Sequence, residues 1–192
     1  MNAELIPRLR ERYADGEVVF LHGLESGPGG TKACWLRERL GAVTPDLDTS
    51  VAIAAWRRAE ASGRAVSQAE LEEAFAVPLE RAREAVAGAR VVVGSSFGGA
   101  VLLQLMWSGD WTGPSVMLAG AGVKLTRFRE LPRGSRVVLI HGRADTVVDP
   151  ADSRVLAASP SCQTWFWEVP DEHRLTSVLE SGLLAAALTL VG

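Results

Sequence analysis

The residues with the most chemical content in this chain are a serine set among glycines, Gly94-Ser95-Ser96-Phe97-Gly98-Gly99. The stretch fits Gly-x-Ser-x-Gly with Ser96 in the middle. A serine on a sharp turn from strand to helix takes strained backbone angles, and small residues two positions away on either side let neighbouring segments come close. Its hydroxyl then projects above the sheet. The helix that follows aims its dipole at the same point, so the backbone N–H of Phe97 is a candidate donor to a developing oxyanion. The bare pattern arises easily in a chain with 19 glycines, so it carries weight only between a strand and a helix. Arg90 to Ser95 (RVVVGS) and the apolar run Phe97 to Ser108 provide that setting.

A serine hydroxyl is a weak nucleophile until a base takes its proton. Histidine occurs only at 22, 141 and 173. His22 and His141 each end an apolar run and precede a glycine, whereas His173 lies in the polar loop Pro170-Asp171-Glu172-His173-Arg174-Leu175. A loop position leaves His173 able to reach the sheet's edge, and it is the candidate base. Read alone, such a histidine is an ordinary exposed one near a helix start; the serine motif is what turns the reading. A base of this kind needs a carboxylate on its second nitrogen to hold the productive tautomer. In His141-Gly142-Arg143-Ala144-Asp145 the carboxylate directly follows a buried run, so Asp145 is the choice. Asp149 and Asp152 are rivals, but Asp149 precedes Pro150 as a helix N-cap would, and Asp152 falls in that helix's first turn.

A second oxyanion donor is offered where the first apolar run ends, in His22-Gly23-Leu24-Glu25-Ser26-Gly27, through the backbone N–H of Leu24. This glycine-rich stretch with Lys32 also invites comparison with a phosphate-binding loop. The spacing fails, because Lys32 follows Thr31 and precedes Ala33 where a Walker loop needs glycine, lysine, then serine or threonine. The dinucleotide pattern fails too, with lysine in place of its last glycine.

A length of 192 residues with 47% hydrophobic content suits one globular domain spanning 1–192, whose elements must carry these residues. A net charge of −3 leaves no basic surplus to grip nucleic acid. Two cysteines outside any C-x-x-C pair and three histidines leave little material for a metal cage and suit a reducing, cytoplasmic setting. Residues 1–16 are polar where a secretion signal would be apolar, and no apolar run reaches membrane-spanning length. Oligomeric state leaves no mark in the sequence.

Six short buried-strand runs alternate with helical patterns, which implies a mostly parallel sheet wrapped by helices. They are Glu17 to His22, a weaker one near Val43 to Leu47, Arg90 to Ser95, Ser115 to Ala119, Arg136 to His141 and Gln163 to Val169. Each is apolar enough for burial on both faces. Helices are expected over Thr31 to Leu40, Val51 to Ser62, and from Ser67, where Ser67 and Glu70 have capping-box spacing. Pro78 should split this last one into two shorter helices. Phe97 to Ser108 and a closing amphipathic helix, Arg174 to Leu190, complete the set. The six tryptophans are read as packing residues.

With its order Ser, Asp, His along the chain, the sequence resembles the α/β-hydrolase superfamily over nearly its whole length, in a compact form without the family's first two strands and without a large lid. His22-Gly23-Leu24 with Thr31-Lys32-Ala33, then the Ser96 motif, then Asp171-Glu172-His173-Arg174-Leu175 are similar to the small YqiA-like esterases and the related mitochondrial depalmitoylase group. The resemblance implies a serine hydrolase acting on a small acyl ester or thioester. Ser96, Asp145 and His173 would form the triad, Leu24 and Phe97 the oxyanion hole, and no cofactor is needed. The segment Val51 to Ser62 matches no motif of the family and is a candidate wall over the site. Two alternatives stand beside this reading: a hydrolase-fold binding or signalling protein that has lost turnover, and a different chemistry on the same triad.

Overall fold

A computed structural model describes residues 2–192. Its centre is a sheet of five parallel strands in the order β1-β2-β3-β4-β5, namely β1 Val18–Leu21, β2 Val91–Ser95, β3 Ser115–Leu118, β4 Arg136–Gly142 and β5 Gln163–Val169. β1, β2 and β3 are buried throughout, as runs such as VVFL and VVVGS require when helices cover both faces. β5 departs from that expectation: it is the sheet's edge, and all but Val169 of its residues keep some exposure. Trp165 and Trp167 on this strand pack against the core without being enclosed by it.

The sixth expected strand, near Val43 to Leu47, is reduced to one parallel bridge between Val43 and Val19. Val43 N–H donates to Val18 O and Phe20 N–H to Val43 O, both at 2.9 Å. Pro45 lacks a donor and Val43 is 40% exposed, so the pairing does not propagate. The bridge still decides the topology. After β1 the chain first passes outward to Val43 and then returns to the inner side at β2, so β1 and β2 flank the point where the winding reverses. Sites in open parallel sheets form in that crevice, at the carboxyl ends of the strands.

One face of the sheet is covered by α3 Ser50–Ala61, α4 Gln68–Val86, α5 Phe97–Ser108, α6 Gly122–Leu125 and α7 Pro150–Ala157. The other is covered by α1 Asn2–Arg12, α2 Thr31–Leu40, α8 Ser177–Glu180 and α9 Leu183–Val191. α1 was not anticipated; its polar sequence places only Leu9 in the core.

Two helix expectations are corrected. α4 runs unbroken through Pro78, because Ala74, Phe75, Pro78, Ala82 and Val86 share one buried face and the packing of both halves outweighs the lost backbone bond. Its capping box at Ser67 and Glu70 is formed. The closing helix is instead two, α8 and α9, separated at Gly182, whose φ of 80° is left-handed.

Candidate active site

Ser96 sits between β2 and α5 with φ 53° and ψ −115°, a backbone conformation that residues other than glycine rarely hold. Neighbouring backbone enforces it. Ser96 N–H donates to Leu118 O (2.9 Å), while Ser96 O accepts from the N–H groups of Gly99 (2.9 Å) and Ala121 (3.0 Å). The glycines explain themselves by what a methyl group would strike. On Gly98 it would collide with the carbonyl oxygens of Leu21 and His22, and on Gly94 it would lie 2.7 Å from Gly98 O. The turn is therefore wedged under the end of β1, and Gly23 passes close enough that its own Cβ would touch Ser96 Cβ at 3.4 Å.

Asp145 and His173 arrive at the same carboxyl ends of the strands, from the loops after β4 and β5. His173 Nε2 is 2.9 Å from Ser96 Oγ, and His173 Nδ1 is 2.7 Å from Asp145 Oδ2. Asp145 is buried; its Oδ1 accepts from the backbone N–H groups of Val147 (2.8 Å) and Val148 (2.9 Å). Burial works to raise its pKa, but the Val148 N–H, His173 and the Val147 N–H outweigh it and leave the carboxyl below its ordinary value. Of its sequence rivals, Asp149 caps α7 through Ala151 N–H, and Asp152 lies inside that helix. The two loops are laced together: Arg143 N–H donates to Val169 O (2.8 Å) and Ala144 N–H to Asp171 O (3.0 Å). Asp171 in turn holds Ser177 through its N–H and hydroxyl, and Lys32 Nζ on α2 donates to Arg174 O at 2.5 Å.

The expected backbone donors belong to segments that adjoin Ser96: Phe97 follows it directly, and Leu24 follows Gly23, whose Cβ position lies 3.4 Å from Ser96 Cβ. Phe97 is the first residue of α5, where an N–H has no intrahelical acceptor. The Gly23–Leu24 peptide is oriented by His22, whose Nδ1–H donates to Gly23 O at 2.8 Å while Nε2 accepts from Leu47 N–H at 3.0 Å. With the carbonyl tied down, the Leu24 N–H points away from it. Thr49 Oγ1 adds a bond to Leu24 O at 2.7 Å. The unmatched helix α3 reaches this end of the site, with Trp56 edge-on to Phe97 at 6.5 Å and Phe75 of α4 stacked on the same ring at 4.8 Å. Trp107, Trp111 and Trp165 lie elsewhere, against Phe128, Ser115 and Arg136.

Sequence reading passed over two residues. His22 and His141 look like ordinary strand-ending residues, yet His22 holds the Gly23–Leu24 peptide and His141 Nε2 lies 3.1 Å from Asp145 Oδ2. The repeated His-Gly after a strand was the only signal available. Among the described residues, no group of three or more His, Cys, Asp and Glu is placed to hold a metal ion, and no helix is long and apolar enough to cross a membrane.

No protein-family model and no curated protein matches the chain. Among solved structures, it is similar to a protein from Xanthomonas campestris assigned to the alpha/beta superfamily of hydrolases, at 24% identity and TM-score 0.59, covering 90% of this chain and 96% of that one. It is also similar to a YdeN-like protein from Pectobacterium atrosepticum (12% identity, TM-score 0.60, 100% and 99% covered). A third likeness is to mouse alpha/beta hydrolase domain-containing protein 10 (17% identity, TM-score 0.58, 90% and 87% covered). At these identities the likeness concerns architecture, and the architecture of this chain is the α/β-hydrolase fold.

Proposed function

We propose that the protein is a serine hydrolase that cleaves carboxylic ester or thioester bonds of small acyl substrates. The observation that carries this reading is the unbroken line from Ser96 Oγ through His173 to Asp145, with Ser96 on a strained turn. In the first step Ser96 Oγ attacks the acyl carbonyl carbon while His173 Nε2 takes the hydroxyl proton, and Asp145 stabilises the imidazolium. The backbone N–H groups of Leu24 and Phe97 receive the oxyanion. Collapse of the tetrahedral intermediate breaks the bond to the alcohol or thiol, which leaves with the proton from His173. Water, deprotonated by His173, then attacks the acyl-Ser96 ester; the acid departs and Ser96 regains its proton.

The same fold in proteins assigned to hydrolases supports the reaction class. The test is a fluorophosphonate probe located by mass spectrometry, with Ser96→Ala and His173→Ala as controls. The expected result is label on Ser96, absent in Ser96→Ala and slowed by a factor on the order of 10³ or more in His173→Ala. Folded wild-type protein that takes no label would sink the reading and favour a binding protein on a hydrolase scaffold. Turnover of matched short-chain p-nitrophenyl esters and acyl thioesters then separates the two substrate classes.

A further inference from the structure

Resting on the serine-hydrolase reading, we propose that His141 is a positioning residue for this chemistry: a second imidazole N–H on the Asp145 oxygen that faces His173, holding that carboxylate still and limiting its pull on the His173 proton. His141 closes β4 and is fully buried, so both ring nitrogens need partners. Nε2 faces Asp145 Oδ2 at 3.1 Å and Val148 O at 3.0 Å. Both are acceptors, so the proton sits on Nε2. Nδ1 is 2.7 Å from Ser153 Oγ on α7, a buried hydroxyl that rotates to donate to it. One direction of donation thus runs from Ser153 to His141 to Asp145.

The consequence lies at Asp145. A carboxylate offers about four lone-pair sites. Val147 and Val148 N–H occupy Oδ1, and His173 and His141 occupy Oδ2. Rotation of the carboxylate would break bonds on both oxygens at once. The second donor also shares the negative charge on Oδ2, so an imidazolium at His173 is stabilised less than it would be by a carboxylate facing His173 alone. Removing it strengthens that pull, which retains the proton on His173 to higher pH and leaves less free base.

Other charged groups sit on the elements packed around His141. From α7 these are Asp152, which burial and Asp149 push up, and Arg154. Arg154 pairs at 2.6 Å with Glu168, the β5 residue in register with His141. Lys124 and Arg129, after β3, act on Asp152.

The test is the pH profile of kcat/KM on p-nitrophenyl acetate for wild type, His141→Leu, His141→Gln and Ser153→Ala, each checked for folding by thermal melting. His141→Leu is expected to lower kcat/KM about ten- to a hundredfold at neutral pH, through kcat rather than KM. Its acid limb should move to higher pH. Glutamine keeps an amide donor near Nε2 and should restore most of the rate and the wild-type limb. Ser153→Ala, which frees the ring's tautomer, should move the limb part of the way. Leucine and glutamine variants equally slow with unmoved acid limbs would reduce His141 to packing and overturn the proposal. Should His141→Leu not fold, Ser153→Ala decides, an upward limb supporting the proposal and a wild-type profile overturning it. Imidazole ¹⁵N spectra give a reading independent of turnover: a proton on Nδ1 of His141 in place of Nε2 overturns the proposal. Wild type that fails to label or hydrolyse removes the hydrolase reading itself, whereas active enzyme with unmoved limbs removes only the role of His141.

Discussion

The two halves of the site are held by different means. In the serine half, from β1 to α5, the Ser96 turn is fixed by backbone against backbone, with glycines where any side chain would collide and bonds to Leu118 and Ala121; side chains, His22 and Thr49, enter only at the Gly23–Leu24 segment. The His–Asp half hangs on loops after β4 and β5, where two backbone bonds lace the loops together and side chains add the rest: Asp145, Asp171, Lys32 and His141. Close packing of main chain is intolerant of added volume but indifferent to charge. Loops tied by polar groups can yield to volume, and they respond to any change in a donor or acceptor.

The sharpest way to break this contrast is to add one methyl group on each side. Gly98→Ala would drive Cβ into the carbonyls of Leu21, the last residue of β1, and of His22 beside it, and is expected to cost more than about 4 kcal/mol or abolish folding. Gly142→Ala meets the carbonyls of Asp171 and Glu172, which belong to a loop. There we expect a loss of about 1–3 kcal/mol with a disproportionate loss of activity, because the loop carrying His173 must shift. Urea midpoints beside kcat/KM decide it, and equal stability losses would erase the distinction.

Next in size is His22→Leu, which frees the Gly23–Leu24 peptide and should lower kcat/KM by about tenfold with little change in KM. A change confined to KM would speak against an oxyanion role for that peptide.

Lys32 gives a test by pH. Burial lowers its pKa to about 8 from 10.5, against the pull of Asp171. Between those values the unfolded chain binds a proton that the folded chain does not, so stability rises with pH in that window. Measurements should stop near pH 10, because burial raises the pKa of Tyr13, whose contribution falls away at higher pH. Lys32→Met is expected to flatten the rise in the urea midpoint and slow turnover a few-fold by releasing Arg174 O. An unchanged slope would show that Lys32 is solvated.

The smallest effect is expected far from both halves. Ser67→Ala removes the N-cap of α4 and should cost about 1 kcal/mol with unchanged kcat/KM.

What could be read from the linear chain follows the same division. Gly94 to Gly99 is legible because the turn's requirements fall within six residues, and the buried runs of β1 to β4 are legible because burial on both faces leaves a continuous apolar signature. Asp145 and His173 could be picked by type and loop position, but 28 residues separate them and 77 separate His173 from Ser96, so their contact is a product of strand order. The outcomes at Pro78 and Gly182 turned on packing and on a left-handed residue, neither of which local propensity reports. Which groups are able to act, and which turn presents the serine, follow from side-chain type and short-range sterics and so are written in the linear chain. That His22 and His141 hold the groups beside them emerges only on folding, because a histidine's role depends on which donors and acceptors burial leaves within reach.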